Sequence, residues 1–425
     1  MRFAIIEDTR MVSAAFNTVL DNGLRVIYSR AGGPISSLLL CIDIYKDDIR
    51  NRKIGVAHFA EHAYCGMKRI YGTREPNSPA ENRVMQQISF TKEDCIYHLK
   101  FFSHDAIRPV MLAEAKQMHR PLINKRLFNR TKLVLMRESL NELEGNYRGR
   151  SLERLYHHCL KGTVYERSII GTSKDIGNIN RQDIVDFYNS YYTPDNMILY
   201  ILSNRDMKAI RRLIVDSFSP MKQKVAQSRL SCQQSPYPGI EQNNIFITSR
   251  DNIKDNYYQV VFKIANTIVS RALDLLETLL NEANYCRVVI NRLAVDNFSA
   301  EHIRKRNLSL FILSFEAGRN IGVQEIMNGI SNMLDSLEKK ISEADLLRAK
   351  KQFCSLIISR YRNPVDRSVM LMDHYLNYGN IFNMDDEIHA IKEINITNII
   401  SLICRALSIE NALVIKTIPK EIRSS

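Results

Sequence analysis

The sequence predicts an α+β protein made of two similar halves. Its 425 residues exceed what one hydrophobic core usually organises. Strand-like and helix-like segments follow one another in an order that recurs after a polar stretch rich in Pro, Gln and Ser. We therefore predict a first half over 1–220, a linker over 221–242 and a second half over 243–425.

The first half opens with a predicted β-hairpin whose turn is Asp21-Asn22-Gly23, a sequence typical of tight hairpin turns. Helical spacing of apolar residues begins at Gly55 and ends before the polar, proline-containing segment 74–82. Further strands are predicted at 36–45, 83–90, 94–102 and 196–202, and further helices at 106–120, 125–147 and 181–192.

The second half repeats this plan in a shorter form. The pattern predicts strands at 257–264 and 308–315, and helices at 268–280, from 323 and from 342.

Composition limits the classes of protein that need to be considered. A 45% hydrophobic and 25% charged chain is typical of a folded globular protein. The net charge of +13 would permit binding to an acidic partner, but no long basic block indicates nucleic-acid binding. With 16 glycines and no phosphate-binding glycine loop, nucleotide chemistry has little support.

The cysteines and the first residues indicate an intracellular protein. Eight cysteines are scattered without a CxxC pair, so we predict that they are reduced. The segment MRFAIIEDTR lacks the basic start and apolar core of a signal peptide, and no apolar run is long enough to span a membrane. We therefore expect a cytoplasmic location.

One motif points to metal chemistry. His58-Phe59-Ala60-Glu61-His62 is an HxxEH sequence within the helix predicted from Gly55. His58 and His62 are four residues apart and share a helix face, so their imidazoles can bind one ion. Glu61 lies beside them and could accept a proton from a water on that ion. The five residues alone also arise by chance, in which case the histidines would be ordinary helix residues.

A catalytic zinc site needs a third protein ligand and an open position. The candidate is Glu138, which lies within the helix predicted at 125–147. The other histidine-rich stretch, His157-His158-Cys159, is less suitable because adjacent helical residues point about 100° apart. We interpret it as part of a surface helix.

These motifs together resemble the family of pitrilysin, insulin-degrading enzyme and mitochondrial processing peptidase, which are inverted-zincin metallopeptidases. The resemblance extends over about 17–205 of the sequence. It rests on HxxEH and Glu138 together with three further stretches, which are Leu20 to Val26, Arg167-Ser168-Ile169-Ile170-Gly171-Thr172, and Tyr191 to Met197.

The resemblance implies a clamshell of two homologous α/β-layered halves around a peptide-binding chamber, with the catalytic zinc half first and no zinc motif in the second half. It implies that His58, His62 and Glu138 bind Zn²⁺ and that Glu61 activates water. It also implies that a substrate peptide adds as a strand to the sheet edge at 85–90, where Gln87 replaces the asparagine usual in the family.

The sequence departs from the family pattern at two places. Thr131 stands where relatives have a glutamate seven residues before the third ligand. In the second half, active relatives have an arginine followed seven residues later by a tyrosine, whereas Arg292 is here followed by Ser299. We therefore expect a hetero- or homodimer with a family homologue that supplies this pair.

The resulting hypothesis is a zinc endopeptidase that cleaves short or unfolded peptides, such as bacteriocin or other ribosomally made precursors. The alternative is a non-catalytic peptide-binding or structural subunit of a family heterodimer. Such subunits normally lose a ligand or the catalytic glutamate, whereas this sequence keeps all four residues.

Overall fold

The computed structural model describes residues 12–31, 34–45, 52–72, 84–119, 123–221, 245–265, 270–282, 295–306 and 308–420. They form two compact units. The first contains the described residues before 222 together with Pro364–Met372, and the second contains the remainder. The predicted linker at 221–242 lies outside the described residues except for Met221, whose side chain is buried.

The first unit has a six-stranded sheet in the order β1-β2-β6-β3-β5-β4. Its strands are β1 Val12–Val19, β2 Arg25–Ala31, β3 Ile35–Asp43, β4 Val84–Thr91, β5 Cys95–Ser103 and β6 Met197–Ser203. The predicted hairpin is confirmed, since β1 pairs antiparallel with β2 across the Asn22-Gly23 turn. The strand β4 lies at the edge of the sheet and pairs with β5 alone among the described strands.

Helices cover this sheet and bury a common apolar core with it. They are α1 Val56–Gly72, α2 Ile107–His119, α3 Lys125–Ser139, α4 Tyr147–Cys159, α5 Ser173–Gly177, α6 Arg181–Tyr191 and α7 Met207–Phe218. The single helix predicted at 125–147 is wrong. A π-helical turn at Leu140–Glu144 ends α3, and the chain restarts as α4, capped by the side chain of Asn146.

The second unit has a five-stranded sheet in the order β7-β11-β8-β10-β9. Its strands are β7 Ile245–Asp251, β8 Asn256–Ala265, β9 Val295–Arg304, β10 Leu308–Ala317 and β11 Leu413–Pro419. Its helices, with α11 shared between the units, are α8 Ser270–Asn281, α9 Val323–Lys340, α10 Glu343–Arg362, α11 Pro364–Tyr378, α12 Met384–Glu393 and α13 Ile396–Ala406. The prediction missed β7, β9, β11 and the last three helices.

The two sheets share one connectivity. In the first, β2 runs parallel to β6, which is followed by antiparallel β3, β5 and β4. In the second, β7 runs parallel to β11, which is followed by antiparallel β8, β10 and β9. The predicted α+β class with two similar halves is therefore confirmed. The helix α8, which packs on edge strand β9 as α1 packs on β4, carries no histidine.

Candidate metal centre

The helix α1 has one face of apolar residues and another face that carries the two histidines. Phe59, Ala60 and Ala63 are fully buried in the core of the first unit. His58 and His62 lie on another face, with their ring centroids 4.6 Å apart and their planes nearly perpendicular. The helix therefore holds two imidazoles against the body of the unit, one turn apart.

Close packing of α3 against α1 brings the third ligand to these histidines. A Cβ atom at Gly66 would lie 2.5 Å from a side-chain carbon of Leu127, so glycine allows the two helices to approach. Phe59 and Phe128 stack at 5.0 Å across the same interface. The last turn of α3 then carries Glu138 to the two imidazoles.

The three predicted ligands converge within a small volume. The carboxylate oxygens of Glu138 lie 3.5 Å from Nε2 of His58 and 3.4 Å from Nε2 of His62. One ligand atom from each residue lies within 4.8 Å of the other two, and no other cluster of this kind occurs in the described parts of the chain. His58 is nearly buried, but His62 and Glu138 have side chains that are 27% and 33% exposed. One side of the cluster therefore stays open.

Glu61 lies beside this cluster without joining it. Its Oε2 is 3.8 Å from Nε2 of His58 and 3.9 Å from Nε2 of His62. Its side chain is only 6% exposed. The fourth predicted residue is thus next to the cluster.

The segment Arg167 to Thr172 holds both ligand-bearing helices. The Ser139 hydroxyl, next to Glu138, donates a 2.7 Å hydrogen bond to the Gly171 carbonyl. At the start of α1, Gly55 has a φ of +80°, and a Cβ atom there would lie 2.7 Å from the carbonyl oxygen of Ile170. This single loop therefore fixes the beginning of α1 relative to the end of α3.

We expect Gly55→Ala to destabilise the first unit and to weaken metal binding. A side chain at positive φ costs about 1–2 kcal/mol, and the clash with the Ile170 backbone adds to this cost. Gly162→Ala is the matched control, because Gly162 has a φ of +79° and nothing within 4 Å of the added Cβ. Thermal unfolding and zinc titration of both variants would measure the difference. Equal effects would show that the contact with Ile170 is unimportant.

Burial determines the charge state of the site without an ion. It lowers the pKa of His58 to about 3, with a smaller contribution from the neighbouring His62, and it lowers the pKa of His62. Both imidazoles are therefore neutral near pH 7 and can offer a lone pair to a metal. Burial, with a smaller effect from Glu142, raises the pKa of Glu138, and burial raises that of Glu61 to about 7.

The raised pKa of Glu61 should make the metal-free chain less stable at high pH. The group ionises near its ordinary value of 4.5 when unfolded and near 7 when folded, so the stability it contributes is present below pH 4.5 and lost as pH rises through about 7. Glu61→Gln should therefore raise the melting temperature of the metal-free chain by several degrees at pH 8, and by much less at pH 5. Differential scanning calorimetry at both values would test this; an equal shift would contradict it.

Gln87 and Thr131 both lie within the first unit. Gln87 is on edge strand β4, and its Oε1 is buried without a hydrogen-bond partner among the described residues. Thr131 is buried on α3, two turns before Glu138.

Nδ1 of His58 is buried and has no hydrogen-bond partner in the described part of the chain. No carboxylate there orients this ring from behind, as metal-binding histidines usually require.

The remaining predicted residues lie apart from this cluster. Ser299 is exposed on β9, whereas Arg292 lies outside the described residues. His157 is exposed on α4 and is 3.3 Å from Glu166, as expected of a surface helix. The six described cysteines form no disulfide with one another, and their predicted reduced state stays a prediction.

Sequence reasoning missed the residues that surround Glu61. The thiol of Cys65 and the hydroxyl of Thr91 both contact its carboxylate. Cys65 follows Glu61 by one helical turn, a spacing that could have indicated the contact. Nothing in the sequence indicated that Thr91 would face the same group.

Comparisons with known proteins agree with this fold. A family model described as "Peptidase M16 inactive domain" matches residues 178–353, which do not include the four site residues. Mitochondrial-processing peptidase subunit beta of Mus musculus is 29% identical over 184 residues, or 43% of this chain and 37% of that protein. Cytochrome b-c1 complex subunit 1 of Rattus norvegicus is 23% identical over 207 residues, or 48% of this chain and 43% of that protein. These matches span less than half of either relative.

A solved structure supports the fold over nearly the whole chain. The crystal structure of a protease from Helicobacter pylori has a TM-score of 0.81 and 16% sequence identity, covering 96% of this chain and 99% of that one. Over parts of its sequence the chain is thus similar to M16 peptidases, and its fold agrees with the resemblance stated from the sequence.

No helix in the described residues has both the length and the apolar character needed to cross a membrane.

Proposed function

We propose that this protein is a zinc-dependent endopeptidase that cleaves short or unfolded peptides. The observation that carries the proposal is the convergence of His58, His62 and Glu138 within 4.8 Å, with the Glu61 carboxylate beside them. An accidental HxxEH sequence would have no reason to meet a carboxylate from a separate helix. The open side of the cluster provides the free position that a catalytic metal requires.

The donor set fits zinc in chemistry and in spacing. Two imidazoles and one carboxylate are among the usual ligands of catalytic zinc. Donor atoms about 2.1 Å from a tetrahedral ion are about 3.4 Å apart. Oε1 of Glu138 lies 3.5 Å from Nε2 of His58 and Oε2 lies 3.4 Å from Nε2 of His62, and one ligand atom from each residue lies within 4.8 Å of the others, so a small movement of the carboxylate would bring a single oxygen to both imidazoles.

Zn²⁺ at this position would supply a Lewis acid that polarises a water molecule and the carbonyl of the scissile peptide bond. The chain itself supplies the proton transfer. Glu61 accepts a proton from the attacking water and then donates it to the leaving amine. In the chain without metal, burial raises the pKa of Glu61 to about 7.

Edge strand β4 is the candidate binding surface for the substrate backbone. Its outer edge pairs with no described strand, and it lies beside α1. A peptide that adds to this edge is held mainly by main-chain hydrogen bonds, which tolerate many sequences. Oε1 of Gln87 is buried and has no hydrogen-bond partner among the described residues. It can therefore accept a hydrogen bond from an N–H group of the bound peptide.

We further propose that full activity requires a family partner. The second unit has Ser299 in place of the expected tyrosine, and a serine hydroxyl cannot reach as far as a phenol. A homologous chain would then supply the arginine and tyrosine that steady the substrate carbonyl. The similarity to a subunit of mitochondrial-processing peptidase supports this arrangement. Ribosomally made peptide precursors, such as those of bacteriocins, are the proposed substrates.

A non-catalytic subunit is the second candidate. It is favoured by the similarity to cytochrome b-c1 complex subunit 1 and by the description of the matched family model as an inactive domain. The retention of all four site residues favours the enzyme.

Metal analysis and a peptidase assay together test the proposal. The purified full chain should bind one Zn²⁺ and should hydrolyse fluorescein-labelled casein, a largely unfolded protein, when mixed with a family homologue that carries the arginine and tyrosine. Purification without stoichiometric zinc, after zinc has been supplied, would favour the non-catalytic subunit. Full activity of the solitary chain would refute the need for a partner while supporting the peptidase assignment.

A further inference from the structure

The Glu61 carboxylate is held by two side chains that the proposed reaction does not use. Sγ of Cys65 donates to Oε1 at 3.7 Å, and Oγ1 of Thr91 donates to Oε2 at 3.5 Å. Each oxygen of the carboxylate therefore has its own donor. Cys65 lies one turn further along α1, whereas Thr91 is the last residue of β4.

Both contacts of the Glu61 carboxylate involve residues of edge strand β4, one directly and one through a neighbouring side chain. Successive side chains of a strand alternate between faces, so Gln87, Ser89 and Thr91 share one face. Thr91 reaches Glu61 directly, and the Ser89 hydroxyl lies near enough to the Cys65 thiol to lower the pKa of that thiol. The strand thus contacts one carboxylate oxygen directly and the other through Cys65.

A buried hydrogen-bonded chain supports Ser89 from behind. Its Oγ lies 2.9 Å from Nδ1 of His98, the residue directly opposite it on β5, and Nε2 of His98 lies 3.0 Å from the hydroxyl of Tyr192. His98 is fully buried between the ring of Tyr64, at 3.7 Å, and that of Tyr192. Burial lowers the pKa of His98 well below its ordinary value, so the imidazole is neutral.

The neutral imidazole gives this chain a consistent direction. If Tyr192 donates to Nε2 of His98, then Nδ1 carries the proton and donates to Ser89. Ser89 can then donate to Cys65, and Cys65 donates to Glu61. All of these hydrogen bonds run in the direction of Glu61. They therefore favour its ionised carboxylate form, which is the form that accepts a proton from water.

We propose that Cys65 and Thr91 are positioning residues that fix the Glu61 carboxylate for proton transfer, with Ser89, His98 and Tyr192 supporting Cys65. This inference rests on the proposed peptidase function and deepens it. Because Ser89 and Thr91 belong to the edge strand, a peptide that pairs with β4 would stiffen the strand that orients the base. The substrate would thereby help to align the group that acts on it.

The kinetic test separates positioning from binding. Cys65→Ala and Thr91→Val should each lower kcat by about tenfold, a part of the ~10²–10⁴ that general acid–base catalysis contributes. KM should stay within about twofold, because neither side chain is proposed to contact substrate. Ser89→Ala should lower kcat by less than Cys65→Ala does. Cys65→Ser keeps a hydrogen-bond donor, so it should retain most of the kcat that Cys65→Ala loses. The matched control is Cys354→Ala, a similarly half-buried thiol in the second unit.

Initial rates on labelled casein, measured with the full chain, its partner homologue and bound zinc, give these values. Equal kcat for unaltered chain, Cys65→Ala and Thr91→Val would overturn the inference if Glu61→Gln is inactive in the same assay. Activity of Glu61→Gln equal to that of the unaltered chain would instead overturn the assignment of Glu61 as the base.

A second measurement tests the contacts without any activity. Burial, and then the Glu61 charge, raise the pKa of the Cys65 thiol to about 12. Iodoacetamide should therefore label Cys65 several-fold faster in Glu61→Gln than in the unaltered metal-free chain, as followed by peptide mass spectrometry. The labelling of Cys354 should not change. Equal Cys65 labelling in both proteins would overturn the proposed contact, whether or not the chain is a peptidase.

Discussion

The Glu61→Gln variant is expected to bind zinc as the unaltered chain does and to hydrolyse labelled casein about 10²–10⁴ times more slowly. Glutamine has the shape of glutamate, and Glu61 lies 3.8 and 3.9 Å from the two imidazole nitrogens rather than between them. The substitution therefore leaves the three ligands in place. It removes the group that accepts the proton, since an amide is not a base near neutral pH.

Zinc content and initial rates of the same preparations would test this expectation. Glu142→Gln is the control, because Glu142 is a nearby carboxylate on the π-helical turn that follows α3 and has no proposed part in proton transfer. A variant that lost zinc and activity in equal proportion would show that Glu61 is a ligand. A variant with unchanged turnover would show that another group is the base.

The local part of the site could be predicted from the sequence because helix geometry relates neighbouring residues. The i, i+4 spacing of His58 and His62 determines that they share a face, whatever the rest of the chain does. Glu138 could be chosen as the third donor from the need for three ligands and from the family resemblance. Its distance to the histidines depends on Gly66, Leu127 and the loop at Gly171, whose contacts no local pattern contains.

The elements that the prediction missed depend on pairing between distant segments. Strand β11 lies between β7 and β8, more than a hundred residues away in sequence, and its short apolar run could equally have been helical. The end of α3 was missed for a different reason. Apolar spacing continues through Leu140 and Leu143, whereas a π-helical turn and the Asn146 cap break the helix there.

The side chains that hold the Glu61 carboxylate could not be predicted, because most of them lie on separate strands and helices. His98 stands in an apolar strand, where a histidine gives no sign of its partners. Only the pairing of β4 with β5 brings it opposite Ser89, and only the packing of α6 brings Tyr192 to its other nitrogen. Buried polar groups of this kind become informative once their hydrogen-bond partners are known.

Glu138→Ala should lower zinc affinity by at least about 100-fold while leaving the fold intact. Loss of residues that merely orient metal ligands costs 10–100-fold, so loss of a ligand should cost at least as much. The Glu138 side chain is 33% exposed, so its removal creates no closed cavity in the core. The two histidines would remain on α1 but would hold an ion with two protein donors only.

Glu142→Ala is the matched control for this experiment. Glu142 lies one turn beyond Glu138, and its charge contributes to the raised pKa of Glu138. Its removal should lower that pKa and leave zinc affinity unchanged or slightly altered. Competition with a chromophoric chelator near neutral pH would give both affinities, and circular dichroism would report the fold. Equal zinc affinity in Glu138→Ala and the unaltered chain would show that the third ligand comes from elsewhere, because the two imidazoles alone would not hold zinc as tightly.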